Sequence, residues 1–278
     1  MTGQPPVALT IAGSDSGAGA GIQADIKTMG ALGAFAVTAV TAVTAQNTAA
    51  VDGVHPIPAW FVGRQIATVL ADLPVAATKT GMLANLDIIA VVGEWAGSGD
   101  LPNLVVDPVM VSSSGEPLLG AGGLTAYRDL LVPFARLITP NLWEAALLCD
   151  IDPATLTEVE DMVDAARIIQ DLGARCVLVK GGHLGGVEPG SEVGTRPSVP
   201  DVLYDGETVT VLEADRVDTA NSHGTGCSLS AAIAAKLAFG ADVPTAVAEA
   251  KDYVHRALVG GAAWRLGTGH GPLDHFGR

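Results

Sequence analysis

Short runs of Val, Ile, Leu and Ala recur along the chain, and stretches with helical spacing lie between them. Strands buried on both faces read as continuous apolar runs, and parallel neighbours need long crossovers that helices supply. The alternation therefore predicts an α/β fold around a mainly parallel sheet. The strand candidates are Val7–Ala12, Ala34–Ala45, Ala77–Gly81, Leu104–Val109, Leu137–Thr139 and Cys176–Lys180. Helical patterns cover Gly21–Leu32, closed by Gly33, then Trp60–Leu73, Cys227–Phe239 and Val243–Leu266. Thr157-Glu-Val-Glu160 has the spacing of a capping box before a helix that runs to Leu172, where Gly173 ends it. Val202–Tyr204 and Val209–Leu212, joined through Asp205-Gly206, read as a hairpin with a type I′ turn. Gly, Pro, Ser and Glu cluster in Leu184–Pro200, which reads as an exposed loop within one domain spanning residues 1–278.

Aromatic residues make up only 4% of the 278 residues against 49% hydrophobic, so the core is built from aliphatic side chains. The net charge of -15 argues against nucleic acid or an anionic membrane as partner. A nucleotide could still bind if local N–H groups, a lysine and Mg²⁺ met its charge. Cys149, Cys176 and Cys227 are odd in number and form no metal-ligand pattern. They suggest a reducing compartment, and with no signal peptide and no apolar run near the ~20 residues that span a bilayer, the expected location is cytoplasmic.

The segment Asn221-Ser-His-Gly-Thr-Gly-Cys227 runs directly into an alanine-rich helix. Glycines at a helix start leave N–H groups free to converge on an anion, aided by the helix dipole. His223, Gly224, Thr225 and Gly226 thus form a candidate phosphate cradle. Cys227 at the first turn would have an acidified thiol able to serve as base or nucleophile; a small buried residue is its plainer reading. This pairing of anion site and proton acceptor points to phosphoryl transfer.

Other candidates end strands. Gly13-Ser-Asp-Ser-Gly-Ala-Gly-Ala-Gly21 follows the first strand and reads as a ligand-facing loop at the carboxyl edge of the sheet. Gly19–Ala24 also fits a dinucleotide-binding pattern, but the acidic residue expected about 20 positions on is absent between Lys27 and Asp52. Asp25, in the first turn of the next helix, could simply favour its dipole. Gln46 ends an apolar strand with an amide that can read a heterocycle by donating and accepting at once. Asp107, before Pro108, is a candidate Mg²⁺ or phosphate-proximal group or an ordinary turn residue. Asn141 and Glu144 have capping-box spacing, compatible with a helix start that also faces a metal. Lys180 emerges from a buried strand and needs a partner, either a phosphate or a carboxylate.

Taken together, Thr10–Asp25, Val43–Thr48, Asp107–Met110, Ile138–Glu144, Val179–His183 and His223–Ser230 resemble the hydroxymethylpyrimidine/phosphomethylpyrimidine kinases of thiamine biosynthesis, within the ribokinase-like family. The order and spacing of these segments extend over nearly the whole chain, and Cys227 stands where most ribokinase-like enzymes carry an aspartate base. The resemblance implies a three-layer α/β sandwich, usually in a homodimer, that uses ATP and Mg²⁺. It implies that Gln46 bonds the aminopyrimidine, that Asp25 contacts the substrate near its hydroxymethyl or amino group, that Met82 packs on the ring, and that Gly13 is a further substrate-binding position. Cys227 would face the attacking hydroxyl or phosphate, and the N–H groups of Gly224, Gly226 and Cys227 would hold the transferred phosphoryl group. Asp107 and Glu144 would lie near Mg²⁺, with Asn141, Lys180, Thr225 and His223 on the ATP side. The activity implied is ATP-dependent phosphorylation of hydroxymethylpyrimidine and then of its monophosphate. A pyridoxal or sugar kinase could share the frame. An NAD-dependent oxidoreductase rests on Gly19–Ala24 alone, and a silent nucleotide-binding regulator would bind without producing ADP.

Overall fold

In the computed structural model, residues 3–110, 122–182, 184 and 198–277 are described. Nine strands form one sheet in the order β3-β2-β1-β4-β5-β6-β7-β8-β9. They are β1 (Val7–Ser14), β2 (Phe35–Gln46), β3 (Val51–Pro56), β4 (Val75–Thr80), β5 (Val105–Val106), β6 (Leu137–Ile138), β7 (Val177–Lys180), β8 (Ser198–Tyr204) and β9 (Val209–Asp215). Pairing from β2 through β7 is parallel, while β3, β8 and β9 join antiparallel at the two margins. The helices are α1 (Gly21–Ala31), α2 (Ala59–Asp72), α3 (Leu86–Gly97), α4 (Gly123–Leu130), α5 (Leu142–Cys149), α6 (Val159–Asp171), α7 (Thr225–Ala238) and α8 (Val243–Gly261).

Side chains alternate across each strand, so the sheet divides the core in two. Leu9, Ile11, Val106, Val177 and Val179 face one cluster with Val62, Ile66, Ile88, Ala145 and Ile169 from α2, α3, α5 and α6. Ala8, Val105 and Leu178 face the other, with Met29, Leu229, Ile233, Val247 and Val254 from α1, α7 and α8. This is the three-layer sandwich. Strand order reverses between β1 and β4, and the parallel strands all point their carboxyl ends to one edge there, where open α/β sheets bind ligands.

Several local expectations are corrected. β5 and β6 are two-residue strands because Pro108 and Pro140, which have no N–H to donate, follow closely. The β8–β9 turn spans four residues, since Tyr204 pairs with Val209. Asp205 Oδ1 accepts from the N–H groups of Glu207 at 3.0 Å and Thr208 at 2.7 Å, and this side-chain turn replaces the type I′ geometry. The cap before α6 is shifted by one residue: Asp161 Oδ2 accepts from the N–H groups of Thr157 at 2.8 Å and Glu158 at 3.0 Å. α8 stops at Gly261, where an added β-carbon would stand 2.9 Å from the N of Asp274 in the returning C-terminal segment. Of the loop read over Leu184–Pro200, Ser198–Pro200 belong to β8; residues 185–197, like His183, lie outside the described residues.

Candidate active site

The loop after β1 folds around its own carboxylate. Asp15, buried, accepts from the N–H groups of Gly17 at 2.8 Å, Gly19 at 3.1 Å and Ala20 at 2.8 Å, and from Nε2 of His223 at 3.0 Å. Burial alone would raise its pKa; the bonds from His223, Ala20 and Gly17 outweigh that and hold it below the ordinary carboxylate value. The loop then meets the segment preceding α7 backbone to backbone. Gly224, at φ 85°, has no room for a side chain, because a β-carbon would overlap the carbonyl oxygen of Gly19.

That segment is held from behind. Asn221 Nδ2 donates to the carbonyls of Gly261 at 2.7 Å and Trp264 at 3.0 Å, and the N–H of His223 donates to Gly271 at 3.1 Å. The hydroxyl of Thr225 donates to the Ser222 carbonyl at 2.6 Å, which also takes the Thr225 N–H at 3.2 Å. Among the described residues no acceptor is paired with the N–H groups of Gly226 and Cys227, the next two of α7. They are the orphan donors of a helix start, and α7 packs across β4, β1 and β5 at the point of strand reversal.

Beside them stands an acidic pair with one cation. Nζ of Lys180 lies 3.1 Å from Oδ1 of Asp107 and 3.9 Å from Oε2 of Glu144. Asp107 also accepts from the hydroxyl of Ser230 at 3.1 Å and lies 3.4 Å from that of Thr139. Burial opposes charge on Lys180, but Asp107 and Glu144 outweigh it and raise its pKa. Burial pushes Glu144 up to about 7 against the pull of Lys180, with Asp107 adding to the rise. Asn141 and Glu144 form the capping box of α5: each side chain accepts from the other's N–H, at 2.9 Å and 2.8 Å.

Gln46 is brought to the same edge, with its Nε2 3.4 Å from Nε2 of His223. Met82 lies against Gly13, where a β-carbon would stand 2.4 Å from the Met82 methyl, and the Gly13 N–H donates to the Met82 carbonyl at 3.1 Å.

Asp25, Cys227 and His223 have defined surroundings, and for Cys227 the expectation changes. Asp25 is fully buried, and its carboxylate takes Nζ of Lys79 at 2.8 and 3.0 Å and the hydroxyl of Thr10 at 2.6 Å. Burial disfavours charge on both partners, and their double contact outweighs it for Lys79, which is held protonated. The thiol of Cys227 is not acidified: burial pushes it up to about 11, Lys79 pulls it down, and Asp107 and Asp25 push it further up. His223, expected on the cofactor side, lies against Asp15 and Gln46.

Asp15, Lys79, Thr139 and Ser230 were not singled out from sequence. Lys79 carries the same signal as Lys180, a lysine at the end of a buried strand, and Asp15 carries the signal of an Asx turn before glycine. A surface hollow of about 590 Å³, lined in part by Ala67, Leu73, Pro74 and Trp95, lies at the amino end of β4 and contains none of these groups.

A family model described as phosphomethylpyrimidine kinase matches residues 15–274. The chain belongs to the phosphomethylpyrimidine kinase family. A hydroxymethylpyrimidine/phosphomethylpyrimidine kinase of Rhizobium meliloti is 44% identical over 272 residues, covering 98% of this chain and 97% of that protein. Among solved structures, the pyridoxal kinase of Staphylococcus aureus in complex with AMP-PCP and pyridoxal is similar with a TM-score of 0.86 at 36% identity, over 99% of this chain and 95% of that one. A phosphomethylpyrimidine kinase of Clostridium difficile matches with a TM-score of 0.78 at 37% identity, over 91% of this chain and 99% of that one. The family's α/β sandwich is thus shared by pyrimidine and pyridine kinases. No helix among the described residues is long and apolar enough to cross a membrane.

Proposed function

We propose that this chain uses ATP to phosphorylate 4-amino-5-hydroxymethyl-2-methylpyrimidine on its hydroxymethyl oxygen, and then phosphorylates the monophosphate to the diphosphate. The observation that carries this reading is the pair of N–H groups at Gly226 and Cys227, unpartnered among the described residues, with Nζ of Lys180 alongside. Phosphoryl transfer asks a protein mainly to position its reactants and to neutralise charge on the moving group. The start of α7 and Lys180 supply that field, and Gly224 shapes the turn that presents it. Gln46 reads the aminopyrimidine, Met82 packs on its ring over Gly13, and Asn141 and Thr225 line the ATP side.

Cys227 faces the attacking oxygen. With its pKa near 11 the thiol is mostly protonated at pH 7, so the base is its minor thiolate form, which takes the hydroxyl proton and becomes S–H as the new O–P bond forms. The second step needs no such acceptor, because a phosphate monoester is already largely ionised.

Asp107 and Glu144 fit a hydrated Mg²⁺. They are hard oxygen donors that converge on one ammonium, which leaves negative charge uncompensated. No group of three or more metal-ligating side chains exists among the described residues, so the ion's remaining ligands would be water and phosphate, as Mg²⁺ favours. When bound, Mg²⁺ neutralises phosphate charge. One kinase domain, a homodimer and a cytoplasmic location complete the reading; free Cys149, Cys176 and Cys227 suit a reducing compartment.

The test is to incubate the chain with Mg-ATP and hydroxymethylpyrimidine and to identify products by mass spectrometry. Absence of both phosphorylated products would overturn the assignment. A second reading, phosphorylation of pyridoxal, is supported by the likeness to the Staphylococcus aureus enzyme and is decided by running both substrates side by side.

A further inference from the structure

At Gln46 the cleft holds a donor–acceptor conflict, and resolving it gives Asp15 and His223 a role. Nε2 of His223 lies 3.0 Å from Oδ2 of Asp15 and 3.4 Å from Nε2 of Gln46. One ring nitrogen cannot donate to the first and accept from the second. The Asp15 side decides. Its carboxylate already accepts three backbone N–H groups, and against burial its bonds hold it ionised. Nε2 of His223 therefore carries hydrogen and donates.

The hydroxyl of Thr44 donates to the Ser14 carbonyl at 2.9 Å, so toward the Gln46 amide, 3.3 Å away, its oxygen is left as an acceptor. Gln46 thus meets, at His223, an N–H that it shares with Asp15 as a weaker second acceptor, and an acceptor at Thr44. Amide orientation is assigned from such partners: the carbonyl oxygen belongs against His223 and the NH₂ against Thr44. Gly19 seats the imidazole, since a β-carbon there would stand 2.4 Å from Cδ2 of His223.

We propose that Asp15 and His223 are positioning residues that lock the Gln46 amide in this orientation and so set the site's preference for a heterocycle with adjacent donor and acceptor. The inference rests on Gln46 being the heterocycle contact. A 4-aminopyrimidine presents an exocyclic N–H beside a ring nitrogen, and a flipped amide would mismatch both. Pyridoxal presents a ring hydroxyl, which donates or accepts and tolerates either orientation. The lock therefore discriminates between the two substrate classes.

The test compares His223→Phe, which keeps a ring against Gly19 but removes the donor, with His223→Gln, which restores one. Steady-state kinetics are measured with Mg-ATP on hydroxymethylpyrimidine and on pyridoxal. For the aminopyrimidine, His223→Phe is expected to raise KM about tenfold with kcat within about twofold. KM for ATP and for pyridoxal stays unchanged, and His223→Gln recovers most of the loss. Thr44→Val, which removes the facing acceptor without touching the imidazole, shifts KM the same way and carries the test if His223→Phe does not fold. Equal losses on both substrates, a raised KM for ATP, or no rescue by His223→Gln overturns the proposal. Calorimetric binding of hydroxymethylpyrimidine reads the same tenfold difference without turnover. Intact binding in an inactive wild type would defeat the kinase reading alone, and no binding at all would defeat the lock as well.

Discussion

A β-carbon added at Gly226 would stand 3.2 Å from Nζ of Lys180. The bare backbone of α7 thereby lets the lysine reach the helix start, so the field at the cleft depends on the absence of one methyl group. Gly226→Ala places that methyl against the end of a flexible side chain, which can yield. Alanine also favours the helix, by up to about 1 kcal/mol. The expected outcome is a melting temperature equal to or above wild type with kcat reduced roughly tenfold or more. Calorimetry and steady-state kinetics on the same preparation check both halves.

Removing the thiol separates the two steps. Cys227→Ala is expected to slow phosphorylation of the alcohol by about 10² and that of the monophosphate by less than about tenfold. Single-turnover assays with each substrate measure this, and equal losses would assign Cys227 a purely spatial role. Alkylation of the Cys227 thiol by iodoacetamide in the free enzyme should keep rising with pH through 9, in line with a pKa near 11.

The buried Lys79–Asp25 pair is costly to break from one side. Lys79→Met leaves the Asp25 carboxylate uncompensated and is expected to cost about 3–5 kcal/mol of stability. Adding Asp25→Asn removes the stranded charge and should recover about half of that loss. Urea denaturation midpoints of the three proteins provide the comparison.

His275 gives the fold an acid limit. Its Nε2 sits 3.0 Å from Oγ of Ser228, and burial lowers its pKa from 6.5 to about 4, with Lys27 adding to the fall. Between those values the unfolded chain binds a proton that the native state refuses, so stability falls as pH drops from 6.5 to 4. The contribution is fully present above pH 6.5 and is on the order of 3 kcal/mol. His275→Gln should flatten this slope in denaturation curves taken at pH 4, 5 and 6.5.

The sheet was legible because strands buried on both faces leave continuous apolar runs, as at Val7–Ala12 and Cys176–Lys180. β3 was not, since Val51-Asp-Gly-Val-His-Pro56 is exposed along its length and carries no such run. In the site, glycines and strand-end polar residues marked Gly13, Gln46, Asp107, Lys180 and the turn before α7. Spacing could not say which carboxylate faces outward: Asp25 and Asp15 lie ten positions apart, and the fold buries both, one over Lys79 and the other within its own loop. The pKa of Cys227 was also beyond reach, because burial and the charges of Asp107 and Asp25 come from segments far off in the chain.

The contact between Gly19 and Gly224 leaves the two loops no side chain through which to drift apart in evolution. A side chain at Gly224 must displace the Gly19 main chain, and one at Gly19 must displace the His223 ring, so neither position can change without moving the other loop. Mutant libraries meant to widen the range of accepted rings should therefore vary Gln46, Thr44 and Met82 and leave that glycine pair untouched.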